Sequence, residues 1–273
     1  MPRIRAMIDL HCHVLPGVDD GPATMPETIE LVRGAAADGI GTIVATPHVD
    51  NLHRPVASAY IRAAAREVQA RLDRAGVGVA IETGAEVAFT RAMELDDDEL
   101  AALTLGRRGW LLLECPLAVT ATPGFMSAAR LLARRGHRIL LAHPERCPLF
   151  LRTPGELDYL VAEGMLAQVT AGSLEGRFGR TVRDLALHLV ARGTAHVVAS
   201  DGHDKNRPAR ISAYLERAPV SSGLADWLTY DVPAALLSGH EPPPRPRTPS
   251  GPARGRLSRL VSRRSGERPV KQR

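Results

Sequence analysis

The chain has 273 residues, 44% of them hydrophobic, with three cysteines and a formal net charge of +5, enough length and apolar content for one large α/β domain. Cys12, Cys115 and Cys147 form no CxxC or zinc-finger spacing, which excludes a thiolate zinc site and argues against a disulfide framework. No run of 18 apolar residues and no apolar N-terminal stretch occurs, so neither a transmembrane segment nor a signal peptide is expected and the cytoplasm is the expected location.

From Met7 to about Gly239, short β-rich runs alternate with helical patterns, as repeated βα units around a parallel sheet would. The first predicted strand, Met7–Leu10, leads into a predicted helix over Pro26–Asp38. Strands over Thr42–Ala45 and Val77–Thr83 flank a long helix over Val56–Ala75. Asp97–Leu103 is helical, its Asp96-Asp97-Asp98-Glu99 run being the acidic N-terminus that the helix dipole favours. Strand Trp110–Leu113, helix Gly124–Arg135, strand Arg138–Leu141, helix Pro154–Glu163, strand Leu166–Thr170, helix Val182–Arg192 and strand His196–Ala199 complete the series. Gly39, Gly76, Gly136, Gly164 and Gly193 follow helices where a left-handed C-cap is wanted. Seven strands point to a barrel over residues 1–240.

Residues 241–273 are rich in proline and arginine and read as a disordered basic tail. They hold ten Arg/Lys and two Glu, so the remaining 240 residues are net acidic. The high pI therefore describes the tail, and no nucleic-acid-binding body is expected.

Nearly every predicted strand ends in a side chain that can bind a metal. His11 and His13 end the first and, two apart on an extended segment, share one side. His48 ends the second, Glu86 the third, Glu114 the fourth and His143 the fifth; Asp201 and His203 end the seventh. Parallel barrels gather such ends around one mouth, where their active sites lie. Any one of these residues alone reads as a packed histidine or a solvated acid; their convergence reads as a metal site. Oxygen and nitrogen donors suit Mn, Fe, Zn or Mg. Metals sharing a water can bring its pKa toward neutrality and clamp phosphoryl oxygens, as a hydrolase requires. His53 reads as a solvated loop residue, and His137, His188, His196 and His240 as packing or surface. Cys12 should face away from the metals.

The segments Met7-Ile-Asp-Leu-His-Cys-His-Val-Leu-Pro-Gly-Val-Asp-Asp-Gly21, Ala45-Thr-Pro-His48, Gly84-Ala-Glu86, Leu111-Leu-Leu-Glu114, Ala142-His-Pro-Glu-Arg146, Gly172-Ser-Leu-Glu-Gly176 and Ala199-Ser-Asp-Gly-His203 together resemble the polymerase and histidinol phosphatase (PHP) superfamily. More closely, they resemble the CpsB/CapC-type bacterial protein-tyrosine phosphatases associated with capsule and exopolysaccharide synthesis, from Met7 to about Arg210. The resemblance implies a distorted (β/α)7 TIM-like barrel, the PHP fold, with up to three divalent metals, commonly manganese. It implies that His11, His13, Glu86 and Asp201 hold one metal, and that Glu86 bridges to a second completed by Glu114 and His143. Asp20, His48 and His203 would hold the third, with Asp19 the alternative to Asp20. Arg146 and Arg207 would grip the phosphate, for which a guanidinium fork is suited.

The implied reaction is attack of a metal-bridging hydroxide on phosphotyrosine, and the implied partner is a bacterial tyrosine autokinase. No cysteine has an arginine six positions on, so the cysteine-dependent phosphatase loop is absent. Ala85 stands where the family usually has a polar residue, and Arg207 falls one position earlier after Asp201 than in the family pattern. Three rivals remain. An amidohydrolase bridging its metals through a carbamylated lysine is disfavoured, since no lysine precedes residue 205. A PHP phosphatase of a small molecule such as histidinol phosphate would use the same metals with another pocket. A non-catalytic metal-binding scaffold would be expected to have lost ligands, and none is missing.

Overall fold

The structure, a computed structural model, describes residues 5–53 and 56–246. Its strands are β1 (Met7–Cys12), β2 (Ile40–Ala45), β3 (His48–Val49), β4 (Ala80–Thr83), β5 (Glu86–Ala88), β6 (Trp110–Glu114), β7 (Arg138–Ala142), β8 (Leu166–Thr170) and β9 (Val197–Ala199). The helices are α1 (Met25–Ala37), α2 (Ser58–Arg74), α3 (Phe89–Ala92), α4 (Asp97–Leu103), α5 (Phe125–Arg134), α6 (Pro148–Arg152), α7 (Gly155–Ala162), α8 (Arg180–Arg192), α9 (Ser212–Leu215), α10 (Ser222–Asp226) and α11 (Val232–Leu237). The acidic run before α4 is a capping box: Glu99 N–H donates to Asp96 Oδ1 at 2.8 Å, and Asp96 N–H to Glu99 Oε2 at 3.1 Å.

All strand pairs are parallel, in two sheets of order β1-β2-β4 and β3-β5-β6-β7-β8-β9. Leu111, Leu112 and Leu113 of β6 and Leu140 and Leu141 of β7 are fully buried, the continuous apolar reading of strands covered on both faces.

One continuous seven-stranded ladder was the expectation; the described residues form two sheets instead. The second and third predicted strands end at Ala45 and Thr83 as expected, but each is followed after a break, Thr46-Pro47 and Gly84-Ala85, by a further short strand, β3 and β5, that joins the second sheet. Pro47 has no N–H to give a ladder. The breaks lie side by side, because Gly84 N–H donates to Ala45 O at 3.0 Å and Glu86 N–H to Pro47 O at 3.1 Å. Gly84 lets the chains pack closely there: a Cβ would come within 2.9 Å of Leu105 Cδ2 and 3.2 Å of Val44 Cγ1, so those side chains would have to shift. At the far side, Asp201 N–H donates to His11 O (2.9 Å) and His13 N–H to Gly202 O (2.8 Å), with a parallel bridge between Cys12 and Gly202. Buried Asp9 ties the same seam, accepting from Ser200 N–H and the Ser200 hydroxyl.

Helices α9–α11, absent from the sequence expectation, bury Leu215, Leu224, Val232 and Leu236; the Trp227–Asp231 turn between α10 and α11 packs on β1 and β9. The tail expected from residue 241 begins against the body: Trp227 Nε1 donates to Pro243 O (3.0 Å), and Arg245 donates to Val190 O (2.7 Å) at the end of α8. Residues 247–273 lie outside the described residues. Among the described residues, no helix is long and apolar enough to cross a membrane.

Candidate metal centre

The C-terminal ends of the parallel strands deliver the cluster. His11 lies on β1 with His13 just beyond; His48 opens β3, Glu86 opens β5, Glu114 closes β6, His143 follows β7, and Asp201 and His203 follow β9. In register, His48 pairs with Glu86 and Ala88 with Glu114. Parallel neighbours in register project to one face, and His48 Nδ1 accordingly lies 3.2 Å from Glu86 Oε2. Four sets have donor atoms within 4.8 Å of one another: His13, Asp20, His48 and His203; His11, Glu86 and His143; His11, His13 and Asp201; and His48, Glu86 and Glu114. All nine residues singled out as ligands in the sequence thus meet in one cluster. His143 (φ 37°) and Asp201 (φ 52°) adopt the left-handed region that non-glycine residues rarely enter, so backbone strain is concentrated here.

The hydrogen bonds on the outer side of the imidazoles decide what faces inward. Asp19 Oδ2 accepts from His13 Nδ1 at 2.8 Å, the Asp201 carbonyl from His203 Nδ1 at 2.9 Å, and Gln168 Oε1 from His11 Nδ1 at 2.9 Å. Each acceptor fixes a ring proton on Nδ1 and leaves Nε2 facing the inside. There, His11 Nε2 and His13 Nε2 face each other at 3.2 Å, and both lie 3.2–3.3 Å from Glu86 Oε2. His203 Nε2 faces Asp20 Oδ1 at 3.2 Å without a hydrogen bond, and His48 Nδ1 and His143 Nδ1 are buried and unpartnered. Lone pairs converging on carboxylates in a buried volume call for a cation between them.

Titration follows from the same crowding. Burial would lower His13, but its hydrogen bonds to Asp19 and Glu86 prevail and push it up to about 10, so at neutral pH a cation taking His13 Nε2 would displace a proton from it. Burial would raise Glu86, but the charges of His11 and His143 bring it well below the usual range. Glu114 is pushed up to about 9 by burial and by the Glu86 charge. Burial pulls His48, His143 and His203 down, keeping them neutral and able to ligate.

The two arginines stand beside the cluster. Arg146 Nη1 lies 2.5 Å, and Arg207 Nη2 3.0 Å, from Asp201 Oδ2; Arg207 Nη1 lies 3.4 Å from Asp20 Oδ2. Arg146 also stacks 4.2 Å over the Phe178 ring, a cation–π contact that orients it.

Sequence reasoning offered Asp19 only as the alternative ligand to Asp20 and left several other residues here unread. Asp19 also accepts from His48 N–H and Gly21 N–H, both at 3.0 Å, and so orients His13 from behind while Asp20 faces His48 and His203. Gln168, a lone amide in the apolar run of β8, carried a signal that could have found it. Phe178 carried none. His53, expected in solvent, stacks on His48 at 5.0 Å and is held by Asp50. The family pattern leads one to expect an arginine soon after Glu86; Arg91 stands five residues on and pairs with Glu94 at 2.7 Å. Cys12 turns away from the cluster as expected, its thiol donating to Gly202 O.

Fold and donor set define the class: a parallel α/β protein with a histidine–carboxylate cation centre at its strand ends. The family model for capsular polysaccharide synthesis, CpsB/CapC, matches residues 7–228. This chain belongs to the CpsB/CapC family. It is 32% identical to the tyrosine-protein phosphatase YwqE of Bacillus subtilis over 246 residues, 88% of this chain and 96% of that protein. It is 32% identical over 208 residues to the putative tyrosine-protein phosphatase CapC of Staphylococcus aureus, covering 74% of this chain and 79% of that protein. A crystal structure from work on YwqE and on CpsB of Streptococcus pneumoniae, described as metal-dependent tyrosine phosphatases, superposes with a TM-score of 0.76 at 30% identity, covering 89% of this chain and 100% of that one. A mutant organophosphorus hydrolase from Deinococcus radiodurans shares the fold (TM-score 0.53, 17% identity, 85% of this chain and 92% of that one).

Proposed function

We propose that this protein is a metal-dependent protein-tyrosine phosphatase that removes phosphate from a tyrosine autokinase of capsule or exopolysaccharide synthesis in the cytoplasm. The observation that carries the proposal is the set of Nε2 atoms of His11, His13 and His203, held by outer hydrogen bonds at Nδ1 and turned toward Glu86, Asp201 and Asp20. The two sheets then act as one distorted seven-stranded barrel, its second and third strands kinked and its seam closed by the Asp201–His11 and His13–Gly202 bonds.

In the proposed ligation, His11, His13, Glu86 and Asp201 surround one cation, Glu86, Glu114 and His143 a second, and Asp20, His48 and His203 a third. Manganese suits this oxygen and nitrogen set. Divalent cations held there would supply a water acidic enough to be a hydroxide near neutral pH, and positive charge for the phosphoryl oxygens. Arg146 and Arg207, which stand beside the cluster against Asp201 Oδ2, would present their forks to the equatorial phosphoryl oxygens. Phe178 keeps Arg146 in place. His48, His143 and His203, kept neutral by burial, are free to ligate, and no protein nucleophile is used.

The test is hydrolysis of p-nitrophenyl phosphate and of a phosphotyrosyl peptide with added Mn²⁺. Chelation with EDTA and His143→Ala should each abolish turnover while circular dichroism shows an intact fold, and Cys12→Ser should leave it within about twofold. A chelated enzyme that still works, or a dead Cys12→Ser variant, refutes the mechanism.

A further inference from the structure

On the side of the cluster that carries Arg207, a narrow cleft bounded by Asp201, Arg207 and Phe178 runs outward to Arg177 and Tyr214. Those last two residues also line a surface hollow of about 440 Å³, whose remaining walls include Arg210, Arg217 and Glu175. Arg177 and Tyr214 thus stand between the hollow and the residues beside the centre, and the hollow's exposed charge is mostly positive. Glu175 is engaged by Arg217 at 2.9 Å. Arg177 and Arg210, both exposed, have no carboxylate partner among the described residues.

Both free guanidiniums stand on fixed backbone. Arg177 N–H donates to Gly172 O at 3.1 Å, and its stem lies over Gly172 so closely that a Cβ there would be 3.0 Å from Arg177 Cδ. Arg210 precedes α9, whose first turn is clamped by Asp38: Ile211 N–H and Ser212 N–H donate to Asp38 Oδ2 at 2.6 and 2.8 Å. Charges held on rigid supports lose little freedom when they bind an anion. A small phosphate ester seated at the cations would leave this hollow empty, whereas an extended chain carrying phosphotyrosine would cross it.

We propose that Arg177 and Arg210 form a subsite for a second anionic group on the substrate chain, a glutamate or aspartate carboxylate or a further phosphotyrosine near the one being cleaved. The proposal rests on the phosphotyrosyl-protein reading above and adds a preference for acidic sequence around the target. Exposed ion pairs are weak singly, so two together should give a gain of about three- to tenfold in affinity, shrinking as salt screens it.

The experiment measures Kd by fluorescence anisotropy on the full chain loaded with Mn²⁺. The probes are peptides in which the target phosphotyrosine is replaced by its non-hydrolysable difluoromethylphosphonate. Glutamines on both flanks are compared with glutamates, and with a second phosphonate two or three residues away on either side. The wild type should bind the glutamate or doubly phosphonylated peptide three- to tenfold more tightly than the glutamine peptide, and the larger gain identifies the anion. Arg177→Ala/Arg210→Ala should abolish the gain, and Gly172→Ala should reduce it by displacing the Arg177 stem. An Arg66→Ala/Arg74→Ala control with the same loss of charge on α2 should keep it. Equal Kd values for all peptides in the wild type, or a gain that survives loss of Arg177 and Arg210, overturns the subsite. Because the readout is binding, a protein that shows the preference yet hydrolyses no phosphotyrosine would refute the phosphatase reading and leave the subsite standing.

Discussion

Replacing Asp19 by asparagine tests whether the imidazole orientation seen here governs cation binding. The Asp19 carboxylate is buried; burial would raise its pKa, yet His13 and the backbone N–H groups of His48 and Gly21 bring it down to about 2, so it is ionised at neutral pH. Asparagine keeps the shape and one acceptor oxygen but removes the charge. A hydrogen bond to a charged group is worth about 1.5–3 kcal/mol against about 1 kcal/mol for a neutral one. The difference, about 0.5–2 kcal/mol, is about 2- to 30-fold in an equilibrium constant and overlaps the lower part of the ~10- to 100-fold in metal affinity that such outer partners typically control. Asp19→Asn should therefore raise the Kd for Mn²⁺ by about tenfold. Stoichiometry should be unchanged, and turnover recovered at high metal concentration. Asp20→Asn should instead lower the stoichiometry, because Asp20 faces His48 and His203 directly. Calorimetric titration of the dialysed proteins separates the two. If Asp19→Asn loses a bound ion outright, or binds Mn²⁺ with wild-type affinity, Asp19 does not act by orienting His13.

Three further outcomes are expected. Gly202→Ala would bring a Cβ within 2.7 Å of Ala209 Cα and 2.9 Å of Ala209 N; backbone cannot yield cheaply, so the urea midpoint should fall by the equivalent of about 1–3 kcal/mol, and an unaltered midpoint would contradict the contact. His196 is brought down to about 4 by burial, so the unfolded chain binds a proton that the folded one refuses between its ordinary 6.5 and 4. Stability should drop as pH falls through that window, by on the order of 2 kcal/mol after allowance for partial exposure. His196→Asn, which preserves an acceptor for Ala167 N–H, should flatten the urea-midpoint profile; an equally steep profile would place the acid lability elsewhere. Mn²⁺ at about a thousand times its Kd should stabilise the fold by roughly 4 kcal/mol, raising Tm by about 8–16 °C; an unchanged Tm would exclude the cluster as a cation site.

What the sequence revealed and concealed follows from the range of the interactions. His11 and His13 were legible because a two-residue spacing on a strand fixes a common face, and the βα rhythm placed the other ligand types at strand ends. The resumption of strand as β3 and β5 beyond Thr46-Pro47 and Gly84-Ala85 was not, because its alignment depends on hydrogen bonds between separate strands. Asp19 and Asp20 are indistinguishable as letters; only the fold turns one behind His13 and the other toward His203. Gln168 meets a partner 157 positions away. Helices α9–α11 are too short to show a clear period, and the docking of residues 241–246 depends on Trp227 and Arg245 finding surfaces that the linear composition hides.

The broken strands and the site are one design. His48 and Glu86 each stand immediately beyond a break, and they are register partners. An uninterrupted ladder would carry the alternation of β2 and β4 straight through, whereas each break resets the phase and lets both side chains turn toward His13. The interruption costs ladder bonds, which the Gly84–Ala45 and Glu86–Pro47 contacts partly restore. The same mouth holds the left-handed His143 and Asp201 and several unpartnered buried ring nitrogens. An apolar core could relieve none of this, but cations could: each bound ion would satisfy lone pairs, offset carboxylate repulsion and reward the strained backbone that aims them. The departures from regular parallel structure thus collect where ligand binding can compensate them, while the all-apolar centres of β6 and β7, which touch no ligand, keep an ideal ladder.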